Sequence, residues 1–400
     1  MPGPLLIDLS HTSHTRARTG VQRTARALWR ELGGLALPVC HDPYERAWRP
    51  LENGEIRNLA AEAPSAGRSA RWPLDARLRG LMRRWRRRPD PVAAASAAAP
   101  PWGFLEPELF SPAVAGAFAS AAPAVRGPRA AVFYDAVVLK HPELSPRQTV
   151  ARFPGYLREL LAFDGIAAIS ADSREALVSY WRWLGAVNPP PVVAIPLGVD
   201  PAPRPPAPSP ARAEAPIVLC VGTLEGRKNH LALLEACDRL WEHGTRFKLV
   251  VIGAAHAQTG RPALEKIRTL QASGRPLDYK GPAAEEILNA AYAACAFTVY
   301  PSIAEGFGLP VAESLSRGKP CVCSRQGALG EIADGGGCIG LDEATPAALA
   351  AALGRLLDSP SELAALSETA LTRRFRTWSE YTRALTDWMA TLPASHAKVR

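Results

Sequence analysis

The stretch that decides the fold is Val299–Leu315, which reads VYPSIAEGFGLPVAESL. The apolar run Ala293–Tyr300 predicts a buried strand that ends inside this stretch. Gly306 and Gly308 predict a turn in which the backbone can approach a ligand closely. Helical periodicity begins at Leu309. A strand, a glycine turn and a helix start together predict an anion site, because the free N–H groups and the positive end of the helix dipole face one point.

Two carboxylates flank this turn at positions 305 and 313. Glu305 precedes the glycines, and Glu313 lies about 7.5 Å along the predicted helix. Ionised carboxylates accept hydrogen bonds from pairs of sugar hydroxyls, so the two residues could hold the two ends of a sugar–diphosphate–ribose ligand. The alternative is that Glu305 caps the helix and Glu313 is a solvated surface residue.

A second strand–turn–helix unit is Val221–Ala236, VGTLEGRKNHLALLEA, with Arg227 and Lys228 at the start of its helix. Two fixed cations beside a helix dipole would neutralise a diphosphate and stabilise the charge that develops on it as a leaving group. The alternative is a solvated basic turn. Two such sites in one predicted domain, one with cations and one with carboxylates, favour a shared ligand.

The alternation of predicted strands and helices indicates an α/β protein with two doubly wound, Rossmann-like domains. The chain starts with a strand, Leu5–Leu9, a polar loop and a helix from Gly20, so Arg18–Arg23 should line a cleft. Four parts are predicted: an N-terminal domain, 1–200, a proline-rich linker, 201–216, a C-terminal domain, 217–375, and a last helical segment, 376–400. The N-terminal domain is predicted to contain an irregular basic insertion, 50–128, with some helix near 74–87 and 111–121.

The positive charge is concentrated in the first hundred residues, which hold 17 arginines and no lysine against nine acidic residues, in a chain of net charge +9. Its densest part is Arg77–Arg88, RLRGLMRRWRRR. This run is either a solvated surface or a contact for an anionic membrane, with Trp72, Trp85 and Trp102 as interfacial anchors. Nucleic acid is not expected as a partner, because no nucleic-acid-binding motif accompanies the charge.

Cysteine usage and hydropathy point to a reducing compartment. The seven cysteines are odd in number and lie mostly in apolar runs, which favours packing as small hydrophobes. No apolar run reaches eighteen residues, and the N-terminus lacks a signal-peptide pattern. We therefore expect a cytoplasmic protein, peripheral on the inner face of the membrane.

The sequence resembles retaining nucleotide-sugar glycosyltransferases of family 4, which have the GT-B fold, and in particular mannosyltransferase-like members. The segment GTLEGRKN resembles the family's phosphate loop, and the stretch from Leu277 to Ser324 resembles its donor-binding core, with an E-x7-E pair at Glu305 and Glu313. In the N-terminal half, RTGVQRTARAL, AISADSREAL and IPLGVD look like family segments. Residues 50–128 carry no such resemblance.

The resemblance implies roles for particular residues. Glu313 would hold the ribose hydroxyls, Glu305 would contact the transferred sugar near its reacting carbon, and Arg227 with Lys228 would clamp the diphosphate. Gly20 would approach from across the cleft, and the last helix would cross back to the N-terminal domain. The remaining donor-binding residues implied are Gly222 and Thr223 in the phosphate loop, Tyr279 and Gly281 beside the base, and Gly306, Phe307, Gly308 and Leu309 at the sugar and diphosphate.

The resemblance also implies the chemistry, in which the acceptor attacks the face that the diphosphate leaves, without a metal or other cofactor. Two positions depart from the family pattern. Tyr134–Asp135 stands where members often carry His–Asp, so these two residues are assigned a catalytic place beside the sugar. Thr223 stands where many relatives have arginine, so the diphosphate is assigned to Arg227 and Lys228.

The leading hypothesis is a retaining hexosyltransferase for cell-surface polysaccharide synthesis. Its donor would be a GDP- or UDP-hexose, with GDP-mannose preferred, and its acceptor a glycan or a lipid-linked molecule. One alternative is a GT-B nucleotide-sugar epimerase or a small-molecule glycosyltransferase. Another is a non-catalytic sugar-nucleotide-binding protein.

Overall fold

The computed structural model describes residues 3–61, 70–85, 92, 99–121, 125, 127–200 and 215–393. These residues form two α/β domains, each built around one sheet. The N-terminal sheet has the order β3-β2-β1-β4-β5-β6-β7, and the C-terminal sheet has the order β10-β9-β8-β11-β12-β13. All pairs are parallel except β2 with β3. The strands are β1 Leu5–Asp8, β2 Ala36–Asp42, β3 Ala47–Pro50, β4 Gly103–Glu106, β5 Arg129–Phe133, β6 Gly165–Ala168, β7 Val192–Ala194, β8 Ile217–Val221, β9 Lys248–Ile252, β10 Leu277–Tyr279, β11 Phe297–Tyr300, β12 Cys321–Ser324 and β13 Cys338–Leu341.

Helices connect the parallel strands and cover both sheets, as this topology requires. The helices are α1 Gly20–Leu32, α2 Asn53–Ala60, α3 Leu74–Trp85, α4 Pro112–Ala121, α5 Val137–Lys140, α6 Arg147–Glu159, α7 Ala171–Trp183, α8 His230–Glu242, α9 Arg261–Ala272, α10 Glu285–Ala294, α11 Leu309–Ser316, α12 Gly327–Ala333, α13 Pro346–Asp358, α14 Pro360–Thr372 and α15 Trp378–Ala390. Across the described segments, no helix combines the length and the hydropathy needed to span a bilayer.

The strand order reverses between β1 and β4 in the first sheet and between β8 and β11 in the second. In open α/β sheets, ligands bind at such a switch point, outside the carboxyl ends of the strands. The turns after β8 and β11 contain the two stretches that the sequence marks as anion sites. The fold therefore brings the cations and carboxylates of those stretches together.

The prediction of an irregular insertion at 50–128 is wrong for two of its segments. β4 lies at the centre of the N-terminal sheet, hydrogen-bonded to both β1 and β5, and is buried along its whole length. α2 is a regular helix with a capping box between Glu52 and Glu55. The four residues of β4 are too few to show a periodicity, which is why the pattern did not reveal the strand.

Other expectations for this region have mixed outcomes. The helices expected near 74–87 and 111–121 are present as α3 and α4. Arg86–Arg88, most of the Ala/Pro-rich stretch and residues 201–214 of the predicted linker lie outside the described residues. All seven cysteines are free thiols and six are buried, which matches their expected packing role.

The two domains meet along several contacts. The last helix, α15, packs against α1, and its buried face belongs to the same apolar cluster as β1. The amide of Val199 donates to the carbonyl of Arg376 at 2.8 Å where the chain returns to the N-terminal domain. Glu331 of the C-terminal domain accepts hydrogen bonds from the backbone amides of Ala171 and Asp172, at the start of α7.

Candidate active site

A cluster of opposite charges lies at the switch point of the C-terminal sheet. The carboxylate of Glu305 accepts a hydrogen bond from Arg227 Nη1 at 2.7 Å and from Lys228 Nζ at 2.5 Å. The hydroxyl of Tyr300 donates to the same carboxylate at 3.0 Å, and the hydroxyl of Ser302 donates to it as well. The structure thus brings together the two sequence stretches that were assigned to one ligand.

Burial and charge set the protonation states of this cluster. Burial raises the pKa of Glu305, but Arg227 and Lys228 outweigh it and hold that pKa at about 2. Burial lowers the pKa of Lys228, and the neighbouring Arg227 lowers it further. At neutral pH Glu305 is therefore an ionised acceptor for hydroxyl groups, and it lies between two groups that can bind phosphate.

The two turns are fixed to one another by the backbone. The amide of Ile303 donates to the carbonyl of Arg227 at 2.8 Å, and Ser302 Oγ donates to the same carbonyl at 3.1 Å. Asn229, in the left-handed region with φ 55°, donates through Nδ2 to the carbonyl of Ala344 at 2.8 Å. The cations are consequently held in place before any ligand binds.

Gly306 and Gly308 are required at their positions for different reasons. A Cβ atom on Gly306 would lie 2.3 Å from the carbonyl oxygen of Tyr134 in the other domain. Gly308 precedes α11 with φ 103°, and a Cβ there would lie 2.6 Å from Leu329. Phe307 is buried between them. The glycine turn thus permits a close approach between the domains at this point.

Asp135 and Tyr134 lie on the N-terminal side of this contact, at the end of β5. Burial raises the pKa of Asp135, against the lowering effect of Arg227 across the cleft. The hydroxyl of Tyr134 donates to the carbonyl of Pro107 at 2.6 Å, inside the N-terminal domain. The tyrosine side chain therefore packs within its own domain through this hydrogen bond.

Glu313 lies in a different environment from Glu305. Its carboxylate is buried in the first turns of α11 and pairs with Arg23 of α1, from the N-terminal domain. The hydroxyl of Tyr292 donates to it at 3.3 Å, and Arg23 also approaches Asp200 at 3.7 Å. The alternative that Glu313 is a solvated surface residue is therefore wrong.

The other residues predicted to bind the donor lie at the ends of strands or the starts of helices. Gly20 begins α1, one turn before Arg23, and Leu309 begins α11, one turn before Glu313. The remaining four lie at the carboxyl ends of β8 and β10; they are Gly222, Thr223, Tyr279 and Gly281. The hydroxyl of Tyr279 donates to the carbonyl of Gly253 at 2.9 Å, and the amide of Gly253 donates to the carbonyl of Gly281 at 2.8 Å. The first two of the four, Gly222 and Thr223, directly follow β8 and are half-buried.

Four residues in this region were missed by the sequence prediction: Tyr292, Tyr300, Ser302 and His230. The first three donate to the two carboxylates through hydroxyl groups. His230 begins α8 beside Lys228 and is buried, and neither of its ring nitrogens has a hydrogen-bond partner among the described residues. Burial, with Lys228 as a second cause, lowers the pKa of His230 to about 4, so the ring is neutral at pH 7.

A buried carboxylate supports the cleft loop on the N-terminal side. Glu108, which follows β4, accepts hydrogen bonds from the amides of His11 and Thr12 at 2.8 Å each. Burial raises its pKa, and the nearby Asp8 adds to this. Glu108 thereby orders the loop that leads to Gly20. Within the same described segments, no group of three or more His, Cys, Asp or Glu is arranged to hold a metal ion.

Part of the chain matches a known protein family model. Residues 215–359 match the model of "Glycosyl transferases group 1". The serotype-specific mannosyltransferase WbdA of Escherichia coli is 27% identical over 80% of this chain, which spans 38% of that protein. A GDP-mannose-dependent alpha-(1-6)-phosphatidylinositol dimannoside mannosyltransferase of Mycobacterium tuberculosis is 28% identical over 64% of the chain and 65% of that protein.

Similarity to solved structures extends over nearly the whole chain. Sucrose-phosphate synthase from Thermosynechococcus elongatus has a TM-score of 0.69 and 17% identity, and the match covers 97% of this chain and 98% of that one. At such identity the likeness shows the fold, and it agrees with the two facing Rossmann-like domains described above. Residues 215–359 thus match the glycosyl transferases group 1 model, within a chain that has the GT-B fold.

Proposed function

We propose that this protein is a retaining family 4 glycosyltransferase that moves mannose or a similar hexose from a nucleotide-diphosphate sugar to a glycan or lipid-linked acceptor. The observation that carries the proposal is the cluster of Arg227, Lys228 and Glu305 at the switch point of the C-terminal sheet. It combines two fixed cations for a diphosphate with one ionised carboxylate for sugar hydroxyls.

The proposed reaction assigns each of these groups a part. The bond between the anomeric carbon and the diphosphate oxygen breaks, and the acceptor oxygen bonds to that carbon on the same face. The acceptor proton passes to the departing diphosphate oxygen. Arg227 and Lys228 stabilise the charge on that diphosphate, and Glu305 orients the sugar through its hydroxyls. Since the two side chains supply the positive charge, we propose that the protein needs no metal.

The donor and acceptor are proposed from the relatives. WbdA is named a mannosyltransferase, and the mycobacterial relative is named GDP-mannose-dependent with a phosphatidylinositol-based acceptor. We therefore propose GDP-mannose as donor, UDP-hexose as the second choice, and cell-surface polysaccharide synthesis as the setting. An anionic membrane surface is the proposed partner of the basic N-terminal region, with the protein peripheral on the cytoplasmic face.

The test is a transfer assay with GDP-mannose and a polyprenyl-linked mannose acceptor in excess EDTA. We expect GDP to be released together with an α-linked product, whose anomeric configuration is assigned by NMR. A β-linked product would refute retention, and activity that appears only after a divalent cation is added would refute metal independence. Thermal-shift measurements with GDP, UDP, ADP and TDP identify the preferred base.

The same assay separates the alternatives. Conversion of the donor sugar without any acceptor would identify an epimerase. Nucleotide binding without turnover on any donor or acceptor would identify a binding protein.

A further inference from the structure

Helix α3 packs on the protein with its small residues and exposes its large apolar ones. Ala76 and Gly80 are the buried positions, and a Cβ on Gly80 would lie 2.9 Å from both Asp42 and Tyr44. The large apolar side chains are exposed, from 43% at Leu81 to 90% at Trp85. An ordinary surface helix has the opposite arrangement, because its large apolar side chains face the core.

The exposed residues form one continuous stripe. They are Leu74, Leu78, Leu81, Met82 and Trp85. Their spacing of four, seven, eight and eleven positions from the first puts them on one face of an α-helix. A contiguous apolar stripe on a water-facing helix marks a surface that binds something apolar.

The charges beside the stripe indicate what that surface binds. α3 holds four arginines and one aspartate. Arg79 and Arg83 pair with acidic residues of the protein, including Glu52. Arg77 and Arg84 are exposed and lie on one flank of the stripe, seven positions apart. An apolar face flanked by arginines is suited to the interface of an anionic bilayer, where apolar side chains enter the acyl boundary and cations contact phosphates.

We infer that α3 is the membrane-binding element, inserting this stripe into an anionic lipid surface with Arg77 and Arg84 at the headgroups. This assignment excludes two of the three tryptophans that the sequence predicted as membrane anchors. Trp72 stacks on the ring of His14 at 3.7 Å, and Trp102 packs against the core, so only Trp85 remains available.

The placement of α3 connects the membrane to the cleft. The amide of Arg71, just before α3, donates to the carbonyl of His14 at 2.8 Å. His14 also approaches Glu55 at 2.8 Å and belongs to the loop that follows β1. That loop lies at the carboxyl end of β1 and leads to Gly20. A bilayer bound by α3 would therefore lie next to the N-terminal side of the cleft, where a lipid-linked acceptor could enter.

The test is sedimentation of the full chain with vesicles of phosphatidylglycerol and phosphatidylcholine in equal amounts, and with phosphatidylcholine alone. The double variant Leu78→Ser/Trp85→Ser should bind the anionic vesicles at least about tenfold more weakly, since two exposed apolar anchors are lost. Arg84→Gln should weaken binding about fivefold. The matched control is Leu35→Ser/Trp183→Ser, which removes residues of 73% and 79% exposure outside α3 and should bind as the parent does.

Equal sedimentation of the parent protein with both kinds of vesicle would refute a preference for anionic lipid. Unchanged vesicle binding by the Leu78→Ser/Trp85→Ser variant would refute the role of the stripe. The role would also be refuted if this variant differed from the parent only by losing self-association in size-exclusion chromatography, because the stripe would then bind a second copy of the chain. The inference rests on the membrane partner of the proposed function, but the assay contains no donor or acceptor. Failure of transfer with α3-dependent vesicle binding would therefore refute the enzyme and leave this inference standing.

Discussion

Glu305 and Glu313 lie on either side of the same glycine turn, yet their partners come from different parts of the chain. Glu305 is bound by Arg227, Lys228, Tyr300 and Ser302, all from the C-terminal domain. Glu313 is bound by Tyr292 of that domain and by an arginine of the other domain. One carboxylate is thus held by its own domain, and the other takes part in closing the cleft.

This difference separates two functions. A carboxylate that its own domain fixes in place, with a low pKa, is suited to a reacting centre, which needs a constant geometry. A carboxylate paired across the cleft is suited to a site that opens and closes around a nucleotide, because ligand hydroxyls can replace the arginine. We therefore expect changes at Glu305 to reduce turnover and changes at Glu313 to weaken binding.

The largest effect is expected for Glu305→Gln. The amide keeps the shape but loses the charge that orients the sugar between the two cations, so turnover should fall on the order of a thousandfold. GDP affinity should stay within a few-fold, because Arg227 and Lys228 remain. Steady-state kinetics and calorimetry measure both. Glu331→Gln, a carboxylate at the domain contact outside the cluster, is the control and should retain turnover. Near-parental activity of Glu305→Gln would remove Glu305 from the reaction.

A smaller loss is expected for Gly306→Ala, which acts on the contact between the domains. The added Cβ would lie 2.3 Å from the carbonyl oxygen of Tyr134, so the domains must separate by about 1 Å. A displacement of that size reduces turnover by roughly a hundredfold. Gly54→Ala, where the structure offers open space, is the control. Unchanged turnover would show that catalysis does not need this closed contact.

Glu313→Gln should weaken GDP binding at least about tenfold with a smaller effect on turnover, because a charged hydrogen bond to ribose contributes about 1.5–3 kcal/mol. Arg23→Gln sharpens the test, since it frees the carboxylate for ribose and should not weaken GDP binding. Titration calorimetry of both variants decides between the roles. Equal weakening by both would mean that Glu313 only joins the domains.

Much of the C-terminal domain could be predicted from sequence because its site residues follow regular strands at short range. Arg227 and Lys228 come six and seven positions after β8, and Glu305 comes five after β11. Placement at the carboxyl ends of adjacent parallel strands then brings them together by topology alone. The stretch Val299–Leu315 shows its strand, turn and helix directly in its residue pattern.

The partners from the N-terminal domain could not be predicted in this way. Arg23 was expected to line a cleft, but its pairing with Glu313 depends on how two domains separated by the 201–214 segment meet. β4 has only four residues, and its central position comes from pairing with β1 and β5, which no local pattern shows. The exposure of the α3 stripe could not be predicted, because periodicity shows which residues share a helix face but not which face packs on the protein.

The smallest effect concerns the pH dependence of stability at the C-terminal site. Glu305, with a pKa of about 2, keeps its charge in mild acid. The group at the C-terminal site whose protonation changes in mild acid is therefore His230. The pKa of His230 is lowered to about 4 by burial and then by Lys228, while an unfolded histidine titrates near 6.5. Between these values the unfolded state binds the extra proton, so the free energy of unfolding falls as pH falls. From pH 6.5 to 5.5 this amounts to about 1 kcal/mol.

Urea unfolding at the two pH values measures this loss of stability. The loss should be absent in His230→Leu, whereas His243→Leu, at an exposed residue, should keep it. An unchanged decrement in His230→Leu would show that the ring is already protonated in the folded protein.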